Sequence, residues 1–192
     1  SNNDYPHAIW WKYHPQNLSF SYNPSAYLAG FIIRYGNKHT KLYKNACLIA
    51  QQAYDFITQE DTLSGDTLRC YLGLYRFLLE AEVNDLIPLD GLKAQLIEKI
   101  DKEVCSDTSK YGVEYVTLPS KFFPDQDAFF IEGHEGLIQK EIDQLQKMQK
   151  SDGAMDIYWN WYTPYKEFET ARLWWRSDLT IRALLFEKAF KR

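Results

Sequence analysis

The sequence predicts an all-α chain built from helical pairs. Three observations carry this reading. Apolar residues recur at three- and four-residue spacing over most of the chain, helix start and stop signals bracket those stretches, and strand alternation appears only at Val113 to Thr117. At 192 residues the chain fits one ordinary domain, residues 1–192, able to bury roughly 70% of the surface its unfolded form exposes.

Asn23-Pro24-Ser25 reads as a helix start, with Asn23 as the N-cap acceptor and Pro24 at the first helical position, where its missing N–H costs nothing. This helix runs to about Tyr35 and stops at Gly36. The next carries Leu42, Tyr43, Ala46, Cys47, Ile49, Ala50, Ala53, Tyr54 and Ile57 in one broad apolar stripe. After the polar break from Gln59 to Gly65, Asp66 is the expected cap of a helix with Leu68, Tyr71, Leu72, Tyr75, Leu78 and Leu79 on one side, and Pro88 closes it. Asp90 then caps a fourth helix, with Leu92, Leu96, Ile97, Ile100 and Val104 inward and Lys93, Glu98, Lys99, Lys102 and Glu103 outward.

Helical period is lost between residues 106 and 135, where Pro119, Pro124 and Gly133 alternate with Tyr111, Tyr115, Phe122, Phe123, Phe129 and Phe130. A loop this long is usually functional or disordered, and its aromatics argue against disorder. Period resumes at Leu137, Ile138, Ile142, Leu145 and Met148. A second aromatic loop, Asp152 to Tyr165, precedes a last helix from about Glu167 to Phe190.

Composition narrows the functional classes. The net charge of -4 comes from 26 acidic and 22 basic residues with no Lys/Arg block, which argues against nucleic-acid binding. No apolar run approaches the roughly 20 residues of a membrane span. Cys47, Cys70 and Cys105 are odd in number and far apart, so neither a disulfide framework nor a zinc site is expected. They read as small core hydrophobes in a reducing, cytoplasmic compartment, with any signal upstream of Ser1 outside the sequence. Gly-rich phosphate loops, nucleophile elbows and His-Glu-x-x-His are missing, so no cofactor or metal is expected.

The strongest deviation is aromatic content, 16% of the chain with 14 Tyr, 11 Phe and 6 Trp. Trp10 and Trp11 in the first loop, Tyr158, Trp159, Trp161 and Tyr162 in the late loop, and Trp174 and Trp175 on the last helix are candidate lining for one cavity. Indole faces bind sugar rings or cationic intermediates. The alternative is that they pack loops onto helix ends. Among the nearby acids Asp4, Asp152, Asp156, Glu167 and Glu169, a carboxylate beside tryptophans has a route to a raised pKa and a general-acid role. Glu167 and Glu169 equally suit a helix first turn, and Asp152 a turn. His7 and His14 are candidate bases or ligands, whereas His39 and His134 sit in polar turns.

Leu145-Gln-Lys-Met-Gln149-Lys-Ser-Asp-Gly153-Ala-Met155 follows Leu-x3-Gln-x3-Gly-x-Trp, with Met155 in the aromatic position. It resembles the repeat of the terpenoid cyclase and protein prenyltransferase α/α toroids, in which the glutamine sits near a helix C-terminus and staples the turn. A longer set of stretches is similar to an uncharacterised bacterial family of toroid-like organisation. These are Ser1 to Trp11, Tyr22-Asn-Pro-Ser-Ala26 with Ala29-Gly-Phe31, Glu114-Tyr-Val-Thr117 with Pro119, and Trp159-Asn-Trp161 through Glu167-Phe168 to Trp174-Trp175. Members carry an additional N-terminal portion, so the resemblance implies the C-terminal part of a longer toroid.

The departures bear on chemistry. Asp-x-Asp-Asp, Asp-Asp-x-x-Asp and a zinc-binding Asp and Cys close in sequence are all missing, so the resemblance does not carry those activities with it. Two readings follow. In one, an aromatic-lined cavity binds a carbohydrate or isoprenoid-like small molecule without catalysis, through Trp10, Trp11, Trp159, Trp161, Tyr162, Trp174 and Trp175. In the other, His7 with Asp156 or Glu167 forms the acid–base pair of a toroid-class glycan hydrolase, lyase or cyclase. A pocket holding Trp11, Trp159 and Trp161 together with an ionisable pair in hydrogen-bonding reach separates them.

Overall fold

The computed structural model describes residues 2–14, 21–124, 128 and 130–191. Ser1 and Phe129, both named above, lie outside the described residues. All regular structure among the described residues is helical. The six α-helices are α1 (Ser25–Tyr35), α2 (Lys41–Gln59), α3 (Gly65–Glu80), α4 (Leu89–Glu103), α5 (Glu135–Met148) and α6 (Phe168–Phe190). None is long and apolar enough to cross a membrane. The chain falls into two compact units, Phe20–Val104 and Ser1–Ser19 with Cys105–Arg192.

In the Phe20–Val104 unit, α1 packs mainly on α3 and α2, and α4 packs on α3 with a smaller contact to α2. Small side chains set these distances. The buried face of α1 is Ala26, Ala29, Gly30 and Ile33, and that of α2 is Ala46, Ala50, Ala53 and Ile57. A Cβ on Gly30 would lie 3.0 Å from the Leu74 Cα and 3.2 Å from the Phe77 Cβ, so the two backbones meet there without room for a side chain. Leu68, Tyr71, Leu74, Leu78, Leu92, Leu96 and Ile100 fill the centre. The Tyr71 hydroxyl donates to the Ala53 carbonyl at 3.0 Å, and burial pushes its phenol pKa up.

Several local expectations are corrected here. The helix start at Asn23-Pro24 stands one residue later, with Pro24 in the cap position and no side-chain cap, and Asn23 accepts instead from the Cys70 thiol. The α3 cap is Ser64, whose Oγ accepts the Thr67 N–H, and Asp66 occupies the first turn, where its charge favours the helix dipole. The α4 cap position is Pro88, with Asp90 likewise in the first turn. Lys99 is inside, 4% exposed, its stem along the apolar face and its ammonium donating to Gln95 Oε1 at 2.7 Å. Leu42 is 61% exposed, so the fully buried part of the broad α2 stripe narrows to its three alanines and Ile57. The three cysteines are free thiols in half-buried positions rather than core ones.

In the other unit the long loop is ordered by three-residue 3-10 turns at Thr108–Lys110 and Pro119–Lys121. Phe122, Phe123 and Phe130 are buried, with the Phe123 ring 5.0 Å from Phe130 and 4.6 Å from His134. Tyr111 donates to the Cys105 carbonyl at 2.6 Å, and no strand forms at Val113 to Thr117.

The Gln149–Met155 turn joins α5 to the aromatic loop. Gln149 is the C-cap of α5, its Nε2 donating to the Gly153 carbonyl at 2.9 Å, while Gly153 takes φ +82°, a conformation that suits glycine. Met155 is fully buried; its N–H donates to Thr180 Oγ1 at 2.9 Å, and its carbonyl accepts from Arg176 Nε at 3.2 Å. Both backbone groups of the turn's last residue are thereby seated on α6.

Gly30→Val should destabilise the Phe20–Val104 unit by about 1–3 kcal/mol, because the added methyls meet α3 backbone that has nowhere to go. Urea denaturation followed by circular dichroism would show a lower midpoint. Gly73→Ala should lower the midpoint as well, because its Cβ would overlap the Tyr27 Cδ2 in a ring packed edge to face on Phe77.

Candidate functional site

The site is built where the N-terminal segment meets the loop before α6. Ile9 N–H donates to the Trp161 carbonyl at 2.9 Å, and Thr163 Oγ1 donates to the His7 carbonyl at 3.1 Å. Ala8 is fully buried between these two bonds, packed with Trp161 and Ala171. With Ala8 inside, the short turn Ile9–Trp11 turns its large side chains outward.

Six of the seven predicted binding aromatics come together. The Trp10 ring lies 6.2 Å from Trp11, 6.2 Å from Trp159 and 6.3 Å from Tyr162. Trp11 sits 6.4 Å from Trp161, and Trp159 sits 5.6 Å from Trp175, all edge to face, the arrangement ring quadrupoles favour. Phe168 backs both Trp159 and Trp161. Tyr115, carried in from the long loop, stacks on Trp10 at 6.5 Å and 18°, with the Lys121 ammonium 5.9 Å from its ring. Trp174 stands apart on α6, 73% exposed and without a ring partner among the described residues.

The group is layered. Trp161 is buried at the base, Trp159 and Trp175 are half-buried, and Trp10, Trp11, Tyr115 and Tyr162 face solvent. Tyr162 has φ +53°, strained for a bulky residue, and its N–H donates to Asn160 Oδ1 at 2.6 Å. The arrangement is an open face of rings rather than an enclosed cavity. The pocket of about 370 Å³ formed by Tyr75, Leu79, Asn84, Pro88, Leu89 and Asp90 belongs to the Phe20–Val104 unit and holds none of the predicted residues.

The ionisable candidates are placed separately from one another. His7 is 8% exposed, its ring 5.4 Å from Tyr165 and its Nδ1 2.5 Å from the Tyr5 carbonyl, an acceptor that fixes the proton on Nδ1. No carboxylate bonds to it among the described residues. Asp156 is gripped by Arg172, with Nε 3.0 Å from Oδ1 and Nη2 2.6 Å from Oδ2, and the Ile157 N–H adds a third bond at 2.9 Å. This guanidinium holds the Asp156 carboxyl below its ordinary range, opposite to what a general acid needs. Glu167 is exposed at the start of α6 with no capping bond, and Glu169 pairs with Arg172 at 3.6 Å. Asp152 caps its own turn through the Ala154 N–H, and His14 is exposed. No group of three or more His, Cys, Asp or Glu is placed to hold a metal among the described residues.

One carboxylate with a raised pKa escaped the sequence reading. Glu141 of α5 is 2% exposed and accepts from the Ser120 N–H at 2.8 Å and the Ser120 hydroxyl at 2.5 Å. Burial pushes it up to about 7 against those two bonds. The signal was its spacing, since position 141 falls on the stripe of Ile138, Ile142 and Leu145. Its charge also raises the nearby Tyr158 phenol, pushed up to about 12 mainly by burial.

Comparison of the chain with protein-family models, with curated proteins and with solved structures finds no match.

Glu141 sets a pH dependence whose sign is fixed by the direction of its shift. The folded form holds the proton to about pH 7, whereas an unfolded glutamate releases it near 4.5. The folded state is therefore favoured below pH 4.5 and loses that advantage, at most roughly 3 kcal/mol, as pH rises to 7. Glu141→Gln can accept the Ser120 N–H through its amide oxygen and donate its amide N–H to the Ser120 hydroxyl, without the charge. Its unfolding midpoint should change less between pH 5 and 8 than the parent's and lie above it at pH 8.

Proposed function

We propose that the open aromatic face is a non-catalytic binding site for a carbohydrate, carried on a helical scaffold of the α/α-toroid type. The observation that carries this is the exposure of Trp10, 51%, inside a group of rings that fixes its orientation. A pyranose offers one flat C–H face to such a ring and hydroxyls around its edge. Asn160 and Lys121 stand beside the rings to meet those hydroxyls. A prenyl chain gains most from being surrounded, which a solvent-facing layer does not provide.

Two observations favour binding over catalysis. Asp156 is committed to Arg172, and among the described residues no carboxylate bonds to His7 to complete an acid–base pair. The scaffold part of the proposal is supported by the purely helical elements and by the Gln149–Gly153 staple after α5.

Isothermal titration of the full chain with cellohexaose and chitohexaose tests the reading. One of these flat β-1,4-linked sugars should bind saturably, and Trp10→Ala should weaken its Kd by about tenfold, in keeping with the energy of one lost aromatic contact. Binding by neither sugar, or equal binding by the variant, would overturn it.

A further inference from the structure

We infer that the indole N–H of Trp161 is the hydrogen-bond donor that fixes the ligand on this face, taking an uncharged oxygen acceptor such as a sugar hydroxyl or ring oxygen. The inference rests on the carbohydrate reading and adds a polar contact at the base of the face to those at its edge. Trp161 is 8% exposed, and its Nε1 is fully buried with no acceptor in reach among the described residues. A buried donor left unpaired is costly, and buried tryptophans normally find a partner for this group. The rest of the residue is fully used: its carbonyl accepts from Ile9, and its ring packs on Trp11, Phe168, Ala8 and Ala171. Phenylalanine would place an aromatic ring there without introducing a donor. The indole thus brings to the base of the aromatic face a polar group for which the described residues supply no partner.

None of the described residues supplies the acceptor, so we assign it to the ligand, and the exposed ring beside Trp161 gives its route. Phe168 is half-buried on α6, whereas Trp11 is 46% exposed on a three-residue turn without a side-chain cap. Trp11 can rotate about χ1 with the Ile9-to-Trp161 backbone bond intact. Its movement opens the base of the group, and the sugar oxygen then receives the Trp161 N–H beneath rings that hold the sugar's flat face. The neutral indole carries no charge to recruit a phosphate or carboxylate, so the fitting partner is a neutral polyol ring.

The test uses the full chain, 15N-labelled, with cellohexaose and chitohexaose as probes. The Trp161 indole signal, assigned from its contacts to Ala8 and Ala171, should move downfield on saturation. Trp161→Phe should weaken the Kd about five- to tenfold, the size of one hydrogen bond, and its melting temperature reports separately what the smaller ring costs the fold. If the parent binds a hexaose in a Trp10-dependent way while Trp161→Phe binds within twofold of it, the inference falls and the carbohydrate reading stands. An indole signal unmoved at saturation has the same meaning and does not depend on the variant folding. Absence of binding by the parent overturns both.

Discussion

The pairing of His7–Ile9 with Trp161–Thr163 is the constraint on which the aromatic unit depends. Two hydrogen bonds, one at each side of Ala8, tie an N-terminal segment of little regular structure to a loop of little regular structure. Neither segment has a hydrophobic stripe to fold on. Ala8 fits because it is small enough to lie against Trp161 and Ala171, and its burial sends Trp10 and Trp11 outward. A larger residue at position 8 would part the strands of contact and scatter the rings.

The other side of the loop is anchored with equal care. Met155 is held by Thr180 and Arg176, and Asp156 by Arg172, so three residues of α6 receive two consecutive residues of the loop. The carboxylate that looked chemical in sequence is a structural tie. Its ion pair with Arg172 is two-pronged and partly shielded, the geometry in which such a pair holds a position instead of flickering in solvent.

Helices were legible wherever one face is apolar. The spans of α1, α2, α5 and α6 follow the three- and four-residue period closely, and the loss of period near residue 106 coincides with the division between the two compact units. Caps were less legible, because Ser64 and Asp66 are both good N-cap residues and only the tertiary setting of Gly65, whose N–H reaches Glu103, decides between them. At Lys99 and Glu141 charge argues for exposure and spacing for burial, and spacing prevails, since both fall on inward faces. The aromatic group was visible as composition in two loops. Its third contributor, Tyr115, and the separation of Trp174 from Trp175 depend on loop paths and helix rotation that no local pattern encodes.

The hydrogen bond from Thr163 to His7 spans 156 residues. A contact this remote forms late, because the intervening chain must be made and ordered first. During synthesis the segment bearing Trp10 and Trp11 emerges before its partner in the late loop, while the contiguous Phe20–Val104 unit, whose contacts all lie within that stretch, can fold behind it. The face is therefore the last part of the molecule to exist. Until the ribosome has released residue 163, two tryptophans travel on a loose tether, open to chaperones and to neighbouring chains.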